Sequence, residues 1–213
     1  MAGSQYVWKE TSSKLLRGFG RLFSMRIAIL AAVVALGLSA QTTQGPKIPR
    51  KARELSLVEP SGKHTLLSSL KGKVVVVQFL QTTCGHCQNY SLFLSKLTTE
   101  LGPRGFQAWG IAFIDADPKM ATEYKQVFAP NFPVGYAARP TVISFLGIPD
   151  QRLGVPQIVV IDRKGQVRGQ TDPTDEPDKP SPIRKEVEMR KLLDTLLKES
   201  AAPAVSAAKK TAN

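Results

Sequence analysis

Cysteine is scarce in this chain, with two in 213 residues, three positions apart at Cys84 and Cys87. Two are too few for a disulfide-stapled scaffold, where several pairs do the work of a core. They are also too few for an intramolecular structural zinc site, which needs four ligands when the only imidazoles are His64 and His86. Aromatics are 7%, and 16 Gly and 15 Pro accompany a charged fraction of 22%. That mixture excludes collagen, wholesale disorder and a polytopic membrane protein. The 42% of hydrophobic residues suffices for one core of ordinary size, so one domain with tails is expected.

Acidic residues are the minority, 17 against 29 Lys and Arg, for a formal charge of +12. Five of the cations lie before residue 41, and the remainder carries 24 cations to 16 acids. A surplus of that size keeps a protein soluble without selecting a partner. No nucleic-acid role is expected from it.

Met25 and Arg26 precede the uncharged run Ile27 to Leu38, which exits through Ser39 and Ala40. A basic flank, an apolar core and a small-residue exit are the parts of a secretory signal. As a helix, the stretch 27–40 reaches roughly 21 Å, short of a hydrocarbon core of about 30 Å. Residues 1–40 are therefore expected to be leader and export signal, with Met25 as a candidate true start. A periplasmic or other extracytoplasmic location follows, with membrane anchoring if the signal stays uncleaved. Residues 41–53 read as a solvated linker, 54–200 as the folded domain, and 201–213 as a loose tail.

Inside the domain, strand-like and helix-like blocks alternate. Leu55 to Val58 and His64 to Leu67 flank Pro60-Ser61-Gly62 and predict a leading hairpin. Val74 to Leu80 is a β-branched run that suits a central strand buried on both faces. From Cys84 to Leu101, residues Tyr90, Phe93, Leu94, Leu97 and Leu101 recur at helical spacing, and Gly102-Pro103 ends the run. Phe106 to Phe113 predicts a second strand, and Asp117-Pro118 opens a helix to about Phe128. Pro140 to Leu146 is a weaker helical candidate. Pro156 to Asp162 and Gln166 to Gln170 form a hairpin about Arg163-Lys164-Gly165. Ser181-Pro182 then opens a last helix with Met189, Leu192, Leu193, Leu196 and Leu197 on one face. The class is α/β, a central mixed sheet flanked by helices.

The chemistry is concentrated in Cys84-Gly85-His86-Cys87, directly after the central strand and at the first turn of a helix. A two-residue spacer there brings two sulfurs within bonding reach, and the first lies beside amides that have no partner in the helix. The thiolate of Cys84 is expected to be stabilised by them. As a structural staple the pair is badly placed, since so short a loop constrains the unfolded chain by only about 2 kcal/mol. Haem c attachment requires a histidine where Gln88 stands. No cofactor and no metal are expected. His86, if protonated, adds to thiolate stabilisation, and Gly85 keeps the rim low for a substrate backbone.

The block Lys71 to Cys87, with Gly154-Val155-Pro156 about seventy residues later, resembles the TlpA/ResA-like branch of the thioredoxin superfamily. The tetrad itself resembles that of protein disulfide isomerases. The resemblance implies a thioredoxin-like fold and thiol-disulfide exchange with protein cysteines through Cys84 and Cys87. It also implies a cis peptide at Val155-Pro156 facing the sulfurs and a substrate-binding rim of Thr83, Val155 and Pro156. The partners implied are protein thiols and disulfides and a membrane or periplasmic protein that resets the dithiol, and a monomer is expected. Two positions depart from the pattern. The buried Asp of thioredoxins is Gln78, which cannot act as a base, and the aromatic before the first cysteine is Thr83. The alternative, a peroxidase of the same fold, typically carries Pro and Thr where this chain has Val77 and Gln81. A copper-delivering module is disfavoured by the two-residue spacer.

Overall fold

The computed structural model describes residues 45–114, 117–175 and 180–199. The expected leader and signal at 1–40, the first part of the expected linker and the tail at 201–213 lie outside the described residues. The chain divides into two units, Met1–Thr43 and Gln44–Asn213.

Among the described residues an eight-stranded mixed sheet carries four helices. In chain order the strands are β1 (Arg50–Lys51), β2 (Ser56–Val58), β3 (His64–Leu66), β4 (Val74–Gln81), β5 (Phe106–Ile114), β6 (Val134–Tyr136), β7 (Gln157–Ile161) and β8 (Gln166–Gln170). The helices are α1 (Gly85–Leu101), α2 (Pro118–Phe128), α3 (Arg139–Leu146) and α4 (Glu186–Lys198). Across the sheet the order is β1-β8-β7-β4-β5-β6-β2-β3. Strand β4 runs parallel to β5 and antiparallel to β7, so it is central, as its unbroken apolar run predicts. Its residues divide by parity. Val74, Val76 and Leu80 pack into one cluster with α1, α2 and α4, while Val75, Val77 and Phe79 pack into a second with α3. With both faces covered, no position on β4 needs a polar side chain for water.

The local signals act as expected on them. Asp117 accepts hydrogen bonds from the backbone amides of Lys119 (2.7 Å) and Met120 (3.1 Å), with Pro118 in the first turn. Helix α1 buries Cys87, Tyr90, Ser91, Leu94, Ser95 and Leu97, and Phe93 and Leu101 pack at the margin of that stripe. The leading hairpin pairs Leu57 with Thr65 and joins the sheet through Val58 against Tyr136.

Three features were not anticipated. Strand β6 is only Val-Gly-Tyr, too short for periodicity to mark. It fits because a Cβ at Gly135 would overlap the carbonyl of Val58. Arg50 and Lys51, inside the expected linker, pair with Val167 and Gln166 at the sheet edge. The last helix begins at Glu186, because Pro182–Arg184 first make a single 3-10 turn. Among the described residues no helix is long and apolar enough to cross a membrane.

Candidate active site

Strand β4 ends at Gln81, and a tight turn closed by the Cys84 amide donating to the Gln81 carbonyl (3.2 Å) delivers the chain into α1. Cys84 is the N-cap of that helix. Its backbone is extended, and its sulfur accepts a hydrogen bond from the Cys87 amide at 3.4 Å. Serine, threonine and aspartate oxygens usually occupy this position. Here a polarisable sulfur satisfies one of the open amides, and in the thiolate form it would sit at the positive end of the helix dipole. Cys84 is half-buried, Cys87 is fully buried, and both are free thiols.

The second wall comes from the segment before β7. The Val155-Pro156 peptide is cis, and the Val155 carbonyl lies 4.0 Å from the Cys84 sulfur. A bracing loop fixes this wall. The Gly154 amide donates to the Pro173 carbonyl (3.2 Å), and the Gln157 side chain donates to the carbonyls of Gly154 (2.7 Å) and Asp172 (3.2 Å). Of the residues singled out in the sequence, Cys84, Cys87 and Val155 meet. Thr83, Gly85 and His86 are exposed on the rim, and Pro156 is buried behind Val155. Among the described residues no hydrogen bond ties His86 to either sulfur.

Beneath the dithiol, Gln78 is fully buried. Its side-chain amide donates to the Cys87 carbonyl at 2.8 Å, so its oxygen must face the other way, where it accepts from the Ser91 hydroxyl at 2.6 Å. Ser91 has then spent its only proton. The contact of 2.8 Å between Ser91 and Tyr124 must therefore be donated by the tyrosine. The result is a one-way chain from Tyr124 through Ser91 and Gln78 to the Cys87 backbone, neutral throughout, with no group able to take a proton. Gln78 is legible in the sequence and Ser91 and Tyr124 are not, since a serine on one helix and a tyrosine on another carry no mark of their meeting.

Burial pushes the Cys87 thiol above the usual thiol range, and the adjoining Cys84 sulfur adds to the rise. Burial likewise raises the phenols of Tyr90 and Tyr124. A folded state that holds protons the unfolded chain has released loses stability as pH rises. Below about pH 8.5 these groups are protonated in both states and contribute no slope. Above it, the reduced protein is expected to lose up to about 1.4 kcal/mol per pH unit for each such group. Urea midpoints between pH 8 and 10.5 check this, and Tyr124→Phe should flatten the steepest part above pH 10. A midpoint unmoved across that range contradicts it.

Among the described residues no three His, Cys, Asp or Glu side chains are grouped to hold a metal ion. The family model described as Redoxin matches residues 43–187. A search of curated proteins finds no match. Among solved structures, a thiol:disulfide interchange protein of the thioredoxin family from Chlorobium tepidum TLS is 25% identical, over 71% of this chain and 99% of that one, with a TM-score of 0.58. A candidate protein disulfide isomerase from Bacteroides thetaiotaomicron is 24% identical over 74% and 96%, TM-score 0.58. The thioredoxin domain of a thiol-disulfide oxidoreductase from Bacteroides vulgatus is 18% identical over 59% and 88%, TM-score 0.51. The last two likenesses concern the fold alone. With the family model covering well over half of its length and a thioredoxin-like sheet around the dithiol, this chain belongs to the Redoxin family of thioredoxin-fold oxidoreductases.

Proposed function

We propose that the protein is an exported thiol-disulfide oxidoreductase that exchanges disulfides with protein cysteines through Cys84 and Cys87. The observation that carries this reading is the asymmetry of the pair. One sulfur caps a helix, half-buried and bordered by the Val155 carbonyl, and the other is sealed three residues deeper.

In the reducing direction the Cys84 thiolate attacks a substrate disulfide. A bond forms between Cys84 and one substrate sulfur, and the other substrate sulfur leaves with the electron pair of the broken bond and takes a proton from water. Cys87, its proton lost to solvent, then attacks Cys84. The Cys84–Cys87 bond forms, the Cys84–substrate bond breaks, and the second substrate thiol departs. Two electrons have moved from the protein to the substrate, and the reverse sequence oxidises a dithiol. The Val155 backbone beside Cys84 offers an edge for an extended substrate, with Thr83, Gly85 and His86 shaping the rim and Pro156 backing it. Because the neutral chain under Cys87 supplies no base, solvent handles its proton. A membrane or periplasmic thiol protein resets the pair, and the N-terminal apolar run serves export or anchoring.

The reduced protein is expected to cleave an insulin-type interchain disulfide with dithiothreitol as electron source, and to consume hydrogen peroxide no faster than dithiothreitol alone. Rapid peroxide consumption without disulfide cleavage would transfer the chain to the peroxidase reading.

A further inference from the structure

Asp175 and the turn Pro182–Arg184, to which the sequence assigns no role, bring a charged pair into the protein interior. Arg184 and Asp175 approach to 3.3 Å with side chains only 9% and 1% exposed. Ion burial at that level costs several kcal/mol per charge, and an apolar pair of the same volume would usually serve stability as well. The carboxylate is anchored at one oxygen by the Ser181 amide (2.6 Å). Its other oxygen and the facing Arg184 nitrogen make no further hydrogen bond among the described residues. The arginine is thus held by charge.

Its position is fixed from both walls of the cleft. The Tyr90 hydroxyl donates to the carbonyl of Ile183 at 3.1 Å, which ties the residue before Arg184 to α1 one turn beyond Cys87. Ile183 packs on the cluster that contains Cys87 and Tyr90. On the other side the Asp175 backbone lies so close to Gly154 that a Cβ there would overlap its carbonyl oxygen, and the next carbonyl, of Val155, borders Cys84. The groups that bear on Cys87 are the Cys84 sulfur, the Gln81 backbone and Arg184. Tyr90 and Tyr124 nearby are neutral phenols, Gln78 is neutral, and the buried carboxylate of this group, Asp175, is paired with Arg184. Arg184 is the one cation in this group, and its effect on the Cys87 thiol opposes that of burial.

We propose that Arg184, held in place by Asp175, is the positioning residue of the second exchange step, a buried cation that stabilises the Cys87 thiolate where a neutral amide stands in place of a buried acid. This rests on the exchange reading above. It adds no new reaction: Cys87 still gives its proton to solvent, attacks Cys84 and expels the substrate thiolate. The arginine only raises the fraction of Cys87 that is ionised when it attacks.

The test uses the full chain with Cys84→Ser, so that Cys87 is the only thiol, and follows thiolate absorbance near 240 nm against pH. Arg184→Gln is expected to move the midpoint of Cys87 up by about one pH unit, a tenfold loss of thiolate at a given pH, and Arg184→Lys to restore most of it. In the wild-type background the release of a preformed mixed disulfide should slow only about fourfold, because the more basic thiolate is about 2.5 times more nucleophilic. Arg184→Gln alone leaves Asp175 buried and unpaired and can unfold the domain. The double variant Arg184→Gln, Asp175→Asn removes both charges and keeps the shape. If the cation acts as proposed, the raised midpoint persists in the double variant. A midpoint equal to that of the parent in the folded double variant overturns the proposal. The titration reads the coupling whether or not the protein cleaves disulfides, so a positive titration with no exchange activity would sink the functional reading instead.

Discussion

Cys87→Ser is expected to accumulate substrate proteins as mixed disulfides, and Cys84→Ser to accumulate none, while each variant loses at least about a thousandfold in turnover. The difference follows from exposure and not from chemistry, since both residues carry the same thiol. Cys84 is half-buried at the helix cap, with its sulfur bordered by the Val155 carbonyl, and Cys87, in the first turn of α1, is fully enclosed. A substrate disulfide is therefore expected to reach the first sulfur and not the second. With Cys87 as serine, the bond formed in the first step has no internal thiol to displace it, and only exogenous reductant releases it. With Cys84 as serine, the remaining thiol is enclosed and held largely protonated by burial. Non-reducing electrophoresis of each variant after incubation with a disulfide-bonded protein reads the outcome. Equal trapping by both variants would mean that the buried sulfur is reached directly, and the assignment of attacking and resolving roles would fail with it.

The parts of this site that the sequence makes legible are those encoded within a few residues. The dithiol, its helix start and the buried strand before it are contiguous, so spacing alone places the pair at the helix start with Cys84 beside its open amides. The central place of β4 follows from a run in which every residue from Val74 to Val77 is apolar and β-branched, because only a strand covered on both faces tolerates that pattern. Gln78 is visible as a departure from the thioredoxin pattern, but its consequence is not. The proton path it closes depends on Ser91 from α1 and Tyr124 from α2, brought together by packing of residues 33 positions apart. Strand β6 has three residues and no period to detect, and β1 exists only because β8 offers an edge to Arg50 and Lys51. The acidic, proline-rich stretch from Asp172 has the composition of a solvated loop. Only the fold shows that Asp175 turns inward to meet Arg184. Chemistry carried by neighbours in sequence can be read from spacing, whereas chemistry carried by neighbours in space needs the chain to be folded first.

Gly154→Ala is expected to be among the most damaging substitutions of residues that carry no functional group, with Gly135→Ala beside it. Gly154 is not there for a left-handed backbone, which the structure reserves for Gly62, Gly72, Gly105, Gly147 and Gly165. It is there for proximity, since a Cβ at 154 would overlap the Asp175 carbonyl oxygen, and backbone meeting backbone leaves no flexible side chain to turn aside. One of two segments must move. If the Asp172–Asp175 loop withdraws, it breaks the bond from the Gly154 amide to Pro173 and that from Gln157 to Asp172, and it drags Asp175 away from Arg184. If the 154–156 segment moves instead, Val155 leaves its place beside Cys84. Either route should cost about 2–4 kcal/mol, within the range for overpacked or broken buried networks, and lower the melting temperature by roughly 5–15 °C for a domain of this size. Exchange activity measured well below melting should fall about tenfold, since misplacing a binding wall by an ångström is enough to cost that much. Gly102→Ala is the control, because a Cβ there meets nothing within 4 Å on a right-handed backbone, and it should melt within about 2 °C of the parent. Should Gly154→Ala melt with that control and keep its activity, the wall facing Cys84 does not depend on the Asp175 loop, and the link from that loop through Arg184 to the dithiol would lose its structural basis.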